Sequence, residues 1–256
     1  MTVVSAQTYK VEQFRGLHIP GRPFVLFNVC DAGSAKAVAE AGAKAIATSS
    51  WFVAKANSLA DGERLPLELA VANLRRIVSA TELLVTIELE DGDTPEAVGE
   101  TMKLVIDAGA VCCNLEDGFP ANGRLREARD QCHRIRRARQ TADAVHLHFF
   151  LNVRTDVFFE TPPEKHTDAM VAEAIDRAYP YADAGADGLF APGLVDITLI
   201  GRLAKESSLT LNIMVSDATP SVRMLTEHGI ARVSHGPRLY LVAMKALETA
   251  ARAASQ

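Results

Sequence analysis

ADAGADGLFAPG, residues 182–193, is the stretch whose reading decides the fold. It reads as the end of a helix, a glycine suited to the left-handed residue that closes one, and at once a short apolar run. The phrase returns with variations as AEAGAKAIATS from Ala39 to Ser49, IDAGAVCCNLE from Ile106 to Glu116, and TEHGIARVSHG from Thr226 to Gly236. A helix closed by glycine and followed immediately by a buried strand is an αβ unit, and such units in series build a parallel sheet.

Outward from these phrases, eight strands are predicted: Phe24–Cys30, Lys44–Ser50, Leu83–Glu90, Val111–Glu116, Phe149–Arg154, Gly188–Pro192, Thr210–Val215 and Ala231–His235. Helical periods lie between them, as in LELAVANLRRIVSA, PEAVGETMKLVIDAGA and DAMVAEAIDRAYPYADAG. Pro66 and Pro95 fall where a first helical turn begins, a position that tolerates a residue without an N–H. Eight such units in 256 residues fit one (β/α)8 TIM barrel spanning the chain as a single domain. A doubly wound open sheet is the alternative, and the lack of a G-x-G-x-x-G after the first strand counts against it. The first twenty residues are expected to form a short helix across the barrel bottom.

The net charge of −5 gives no basic footprint for nucleic acid. No run approaches the length of a membrane span and no charged, then apolar, leader opens the sequence, so a soluble cytoplasmic protein is expected. Cys30, Cys112, Cys113 and Cys132 form no C-x-x-C pair and read as reduced, mostly buried thiols.

Strands of a barrel are buried on both faces, so charge inside them is costly unless it is paired or bound to metal. Here the charges gather at the C-terminal strand ends, the active face of such barrels. Strand one finishes at Asp31 and strand two in Thr48-Ser49-Ser50. Strand three ends ELED, with Glu88 and Glu90 on one side; strand four ends Glu116-Asp117, and strand five Arg154-Thr155-Asp156. Strand seven carries Asn212. Acids and one arginine around a rim suggest a hard cation and an anionic substrate. Oxygen ligands suit Mg²⁺ or Mn²⁺, and Arg154 suits a carboxylate held by two N–H groups.

Several of these runs resemble the phosphoenolpyruvate mutase/isocitrate lyase superfamily. VCDAGSAKAVAEAGAKAIATSS is similar to its opening, LEDG at 115–118 and NVRTDVF at 152–158 to its fourth and fifth strands, and RVSHGP at 232–237 to its eighth. The resemblance implies a barrel whose C-terminal helix is exchanged between subunits of a homodimer or homotetramer. It also implies Mg²⁺ held by acids, and cleavage of a C–C or P–C bond beside a 2-oxo carboxylate through an enolate-like intermediate. On that basis Glu88, Glu90, Glu116 and Asp61 are the expected metal ligands. Ser49, Ser50, Trp51, Asn122, Arg154 and Asn212 are expected to bind a small anionic 2-oxo acid. Arg154, Glu116 and Asp117 are expected to be catalytic, with Asp117 and residues 119–124 forming a lid.

Two departures from the family pattern shape the expectation. Relatives read VT-x-D-x-E-x-G-Y-G-D on strand three, where this chain reads VTIELEDGDTPE. Aligning Val85-Thr86 places Glu88 at the Asp position and Glu90 at the Glu position, which keeps both VT and Gly92. Aligning back from Pro95 instead leaves Thr86 there and removes the principal ligand. After strand four, the Lys-Lys-Cys-Gly-His segment of the tricarboxylate lyases is absent, and EDGFPANGRLREA lacks the loop lysine of phosphonopyruvate-acting members. A 2-oxo acid C–C lyase or decarboxylase is therefore expected ahead of a phosphonomutase-type isomerase or a catalytically silent binding relative.

Overall fold

A computed structural model describes residues 3–59, 65–89, 94–119 and 123–255, with the side chains of residues 3–5 and 50 left aside. Eight parallel strands close on themselves in chain order: β1 (Phe24–Val29), β2 (Ala45–Thr48), β3 (Leu84–Leu89), β4 (Cys112–Glu116), β5 (Phe150–Arg154), β6 (Gly188–Ala191), β7 (Thr210–Met214) and β8 (Arg232–Ser234). β8 pairs with β1 through Phe24↔Arg232 and Leu26↔Ser234, which removes any free edge. Each strand begins and ends within two residues of its predicted limits.

The helices are α1 (Val3–Gly16), α2 (Ala32–Glu40), α3 (Ser50–Ala56), α4 (Leu67–Ala80), α5 (Pro95–Asp107), α6 (Ala128–Asp143), α7 (Asp168–Asp183), α8 (Ile197–Glu206), α9 (Val222–Glu227) and α10 (Arg238–Ala254). The recurring phrase works as its residues require. Gly109 and Gly185, at φ +93° and +106°, take the left-handed conformation that ends a helix and turns the chain straight into a strand. Thr94 caps α5 by accepting from the Ala97 N–H, with Pro95 as the first helical residue. Pro66 lies one residue outside α4 rather than within its first turn.

α1 closes the barrel bottom. Phe14 is fully buried against Phe24 and Phe150, and the His18 ring stacks on Phe150 at 4.0 Å. Burial first, and the nearby Arg232 charge second, hold His18 far below its ordinary pKa, at about 3. At the other terminus α10 has no buried residue and leaves Leu241, Val242, Met244 and Leu247 exposed. All four cysteines are free thiols, and three of them are buried. Among the described residues no helix is long and apolar enough to cross a membrane.

Candidate active site

Side chains alternate along a strand, so residues two apart share one face. That rule builds the site. Asn114 and Glu116 on β4 stand beside Asn152 and Arg154 on β5 by direct pairing, and Glu88 on β3 pairs with Asn114. Glu88, Asn114, Glu116 and Arg154, with Asn28, Ser49, Trp51, Arg232 and Ser234, line a cavity of about 430 Å³ at the C-terminal end of the barrel. Phe119 and Phe159 wall its mouth, and Phe159 lies under the Arg154 guanidinium at 4.5 Å.

Arg154 is the hub. One Nη donates to Glu116 Oε1 at 2.6 Å and approaches Glu88 Oε1 at 3.4 Å; Nε donates to Asp156 Oδ1 at 2.6 Å. Burial pulls the guanidinium pKa down, but the Glu116, Asp156 and Glu88 carboxylates outweigh it and raise the pKa above its ordinary value. Arg154 is thereby fixed in orientation and permanently charged.

Asp117, expected at the cavity, lies outside its lining. The chain turns its carboxylate outward beneath α7, where it is fully buried. Asp117 Oδ2 accepts from the Tyr181 hydroxyl at 3.0 Å and lies 3.5 Å from Arg177. Its Oδ1 accepts the Asp156 backbone N–H at 2.9 Å. Burial raises its pKa despite these donors. Its place is behind the site: it holds the backbone of Asp156, whose side chain in turn holds Arg154. The alternation that puts Glu116 inside the barrel necessarily puts Asp117 outside it.

The other expected residues divide in three. Ser49 and Trp51 line the cavity, and Trp51 packs edge-on against Phe52 and Tyr240. Asn212 is buried beside the lining, accepting from the Ser234 hydroxyl at 3.0 Å, with its Nδ2 unpartnered. Asp61, Glu90 and Asn122 fall outside the described residues, and of Ser50 only its position opening α3 is described. The segment expected to form a lid folds back at its described ends: Phe119 N–H donates to the Arg124 carbonyl, and Gly118 bridges to Leu125.

Asn28, Asn114, Asn152, Arg232 and Ser234 were not among the expected site residues, and Asp156 was expected only as one of the strand-end charges. Their signal is a period-two polar stripe inside otherwise apolar strands: Cys112-x-Asn114-x-Glu116, Asn152-x-Arg154 and Arg232-x-Ser234. Asn152 Nδ2 donates to Asn114 Oδ1 at 2.8 Å, tying two strands together below the acids.

Oxygen donors of the kind Mg²⁺ takes are present in Glu88 and Glu116, so the donor set fits a hard cation in type. Both also engage Arg154, and among the described residues no group of three or more Asp, Glu, His or Cys side chains is arranged to hold a metal.

Comparison with known proteins places this geometry. A candidate phosphonomutase from Burkholderia cenocepacia J2315 superposes with a TM-score of 0.94 and 48% identity, covering 97% of this chain and 99% of that one. The 2-methylisocitrate lyase of Salmonella typhimurium is 28% identical over 82% of this chain and 72% of its own length. A phosphonopyruvate hydrolase solved with oxalate and Mg²⁺ shares the fold, with a TM-score of 0.78 at 20% identity over 97% of this chain and 85% of that one. The sequence matches the phosphoenolpyruvate phosphomutase family over residues 14–255. The chain therefore belongs to that family.

Proposed function

We propose that this protein is a Mg²⁺- or Mn²⁺-dependent lyase that cleaves a C–C bond beside a 2-oxo carboxylate, with a phosphonomutase-type reaction at a P–C bond as the second reading. The observation that carries it is the convergence of Glu88, Glu116 and Asp156 on Arg154 at the active end of the barrel. The Salmonella lyase and the Burkholderia candidate phosphonomutase support one reading each.

Glu88 and Glu116, with Glu90 and Asp61, are the residues that would hold the metal. A bound ion supplies Lewis-acid stabilisation of the negative charge that develops on the 2-oxo and carboxylate oxygens. Arg154, kept charged and locked between Glu116 and Asp156, presents its remaining donor capacity and its field to the substrate. Ser49 and Trp51 bound the side of the cavity. Phe119 and Phe159 limit water at its mouth, which strengthens every charge interaction inside. Asp117 acts as a positioning residue through Asp156.

The test is an NMR time course with oxaloacetate, phosphonopyruvate, methylisocitrate and longer 2-oxo diacids, each with and without Mg²⁺ or Mn²⁺. Metal-dependent consumption of one of them is expected, with Glu116→Gln lowering turnover at least ~100-fold. No turnover by folded protein, or turnover untouched by Glu116→Gln, overturns the assignment.

We also propose that the exposed apolar residues of α10 are covered by a neighbouring subunit in a homodimer or homotetramer. Sedimentation is expected to show an oligomer that Leu247→Glu dissociates; a wild-type monomer refutes it.

A further inference from the structure

Among the described residues two guanidinium groups line the cavity, and they are in opposite situations. Arg154 is shared among three carboxylates. Arg232, at the start of β8 and only 1% exposed, has no carboxylate within ion-pair distance among the described residues. Its Nε donates to Ser234 Oγ at 3.2 Å, and one Nη reaches only the Cys112 sulfur at 3.9 Å, a weak acceptor. Burial lowers its pKa, opposed in smaller part by Cys112 and by the Glu88 charge.

A guanidinium stays protonated in proteins and has five N–H groups to satisfy. Placed in a barrel interior without a counter-charge, it is costly. The groups around it share the same incompleteness. Asn212, its register partner on β7 and 1% exposed, has its Nδ2 without a partner, while its Oδ1 is taken by Ser234. The Ser234 hydroxyl has given its proton to Asn212 and accepts from Arg232, which holds the guanidinium in place. A cation that is fixed, desolvated and unpaired beside an unsatisfied amide donor, on the wall of an open cavity, is a preorganised anion site.

We propose that Arg232, with Asn212 and Ser234 behind it, binds a carboxylate of the substrate at the cavity floor, opposite the Arg154 rim. This rests on the lyase reading for its substrate and narrows it: the substrate is a 2-oxo diacid, with one carboxylate on the floor and the reacting 2-oxo group toward the acids of the rim. Glu88, Glu116 and Asp156 already engage Arg154, so among the described residues lining the cavity a second anionic group finds a guanidinium without a carboxylate partner at Arg232.

The experiment titrates the protein with malonate in the presence of a chelator, so that no metal carries the anion. Binding is followed by calorimetry and by the ¹⁵N resonance of the Arg232 Nε, identified with Arg232→Lys. Saturable binding that moves this resonance is expected, at least tenfold weaker in Arg232→Met. The Arg232 resonance in wild-type protein decides the matter if Arg232→Met fails to fold. No saturable binding, an unmoved resonance, or equal affinity in a folded Arg232→Met overturns the subsite. For turnover, Arg232→Met is expected to raise KM for a 2-oxo diacid at least tenfold while changing kcat less. Malonate binding that depends on Arg232, without turnover of any 2-oxo acid, keeps the subsite and removes the lyase reading. Turnover by wild-type protein with malonate binding indifferent to Arg232 does the reverse.

Discussion

The rim and the floor of one cavity use arginine in contrasting ways. At the rim, Arg154 is bound by Glu116, Asp156 and Glu88, and its charge is a structural element as well as a chemical one. At the floor, Arg232 rests on a serine and a thiol, and its charge is left for something else. The lesson is that counting charged residues at a site says little until their partners are known. A guanidinium held by carboxylates is fixed in orientation and serves the scaffold as well as the chemistry; a buried one without a carboxylate partner has charge available to an anion.

The largest effect expected from this contrast is at the rim. Arg154→Met strands three carboxylates around one point and should cost about 3–5 kcal/mol of stability, together with turnover. Urea denaturation measures this, and a loss below ~1 kcal/mol would mean that the carboxylates find other partners.

Beneath the floor, His18 supplies the next effect. Its folded pKa of about 3 lies below its ordinary 6.5, so the unfolded chain takes up the proton first as pH falls. The associated stability is intact above pH 6.5 and is lost progressively as pH falls toward 3. At about 1.4 kcal/mol per pKa unit, this amounts to roughly 2 kcal/mol at pH 5. His18→Phe should flatten that part of the stability curve, and an unchanged slope between pH 6.5 and 4 would remove His18 as the cause.

The smallest effect sharpens the comparison most. Arg232→Met replaces a buried, unpaired charge by an apolar chain of similar length, and stability should change by no more than about 1 kcal/mol, toward greater stability. A loss approaching that of Arg154→Met would mean that Arg232 is as much scaffolding as its counterpart. The same substitution removes one of the two charges that depress His18, so the His18 pKa, read by NMR, should rise.

The barrel was legible because its determinants are local. A helix, a left-handed glycine and an apolar run specify an αβ unit within a dozen residues, and eight such units leave little choice of topology. Strand ends were legible for the same reason, as were Glu88, Glu116 and Arg154, whose charge in a buried strand marks them. The place of Asp117 behind the cavity was not legible from the resemblance that suggested it, because alternation along β4 sends it to the face opposite Glu116.

What the sequence determined by itself was the parallel barrel, its apolar strands and the polar stripe down several of them, since period and turn chemistry are properties of short segments. Only the tertiary structure decided which charges are paired. Closing the barrel sets β3, β4 and β5 side by side, so Arg154 meets its acids, and it sets β8 beside β7 and β1, where among the described residues no carboxylate comes within ion-pair distance of Arg232. Pairing depends on distances of a few ångströms between residues far apart along the chain, and the closed barrel creates those distances.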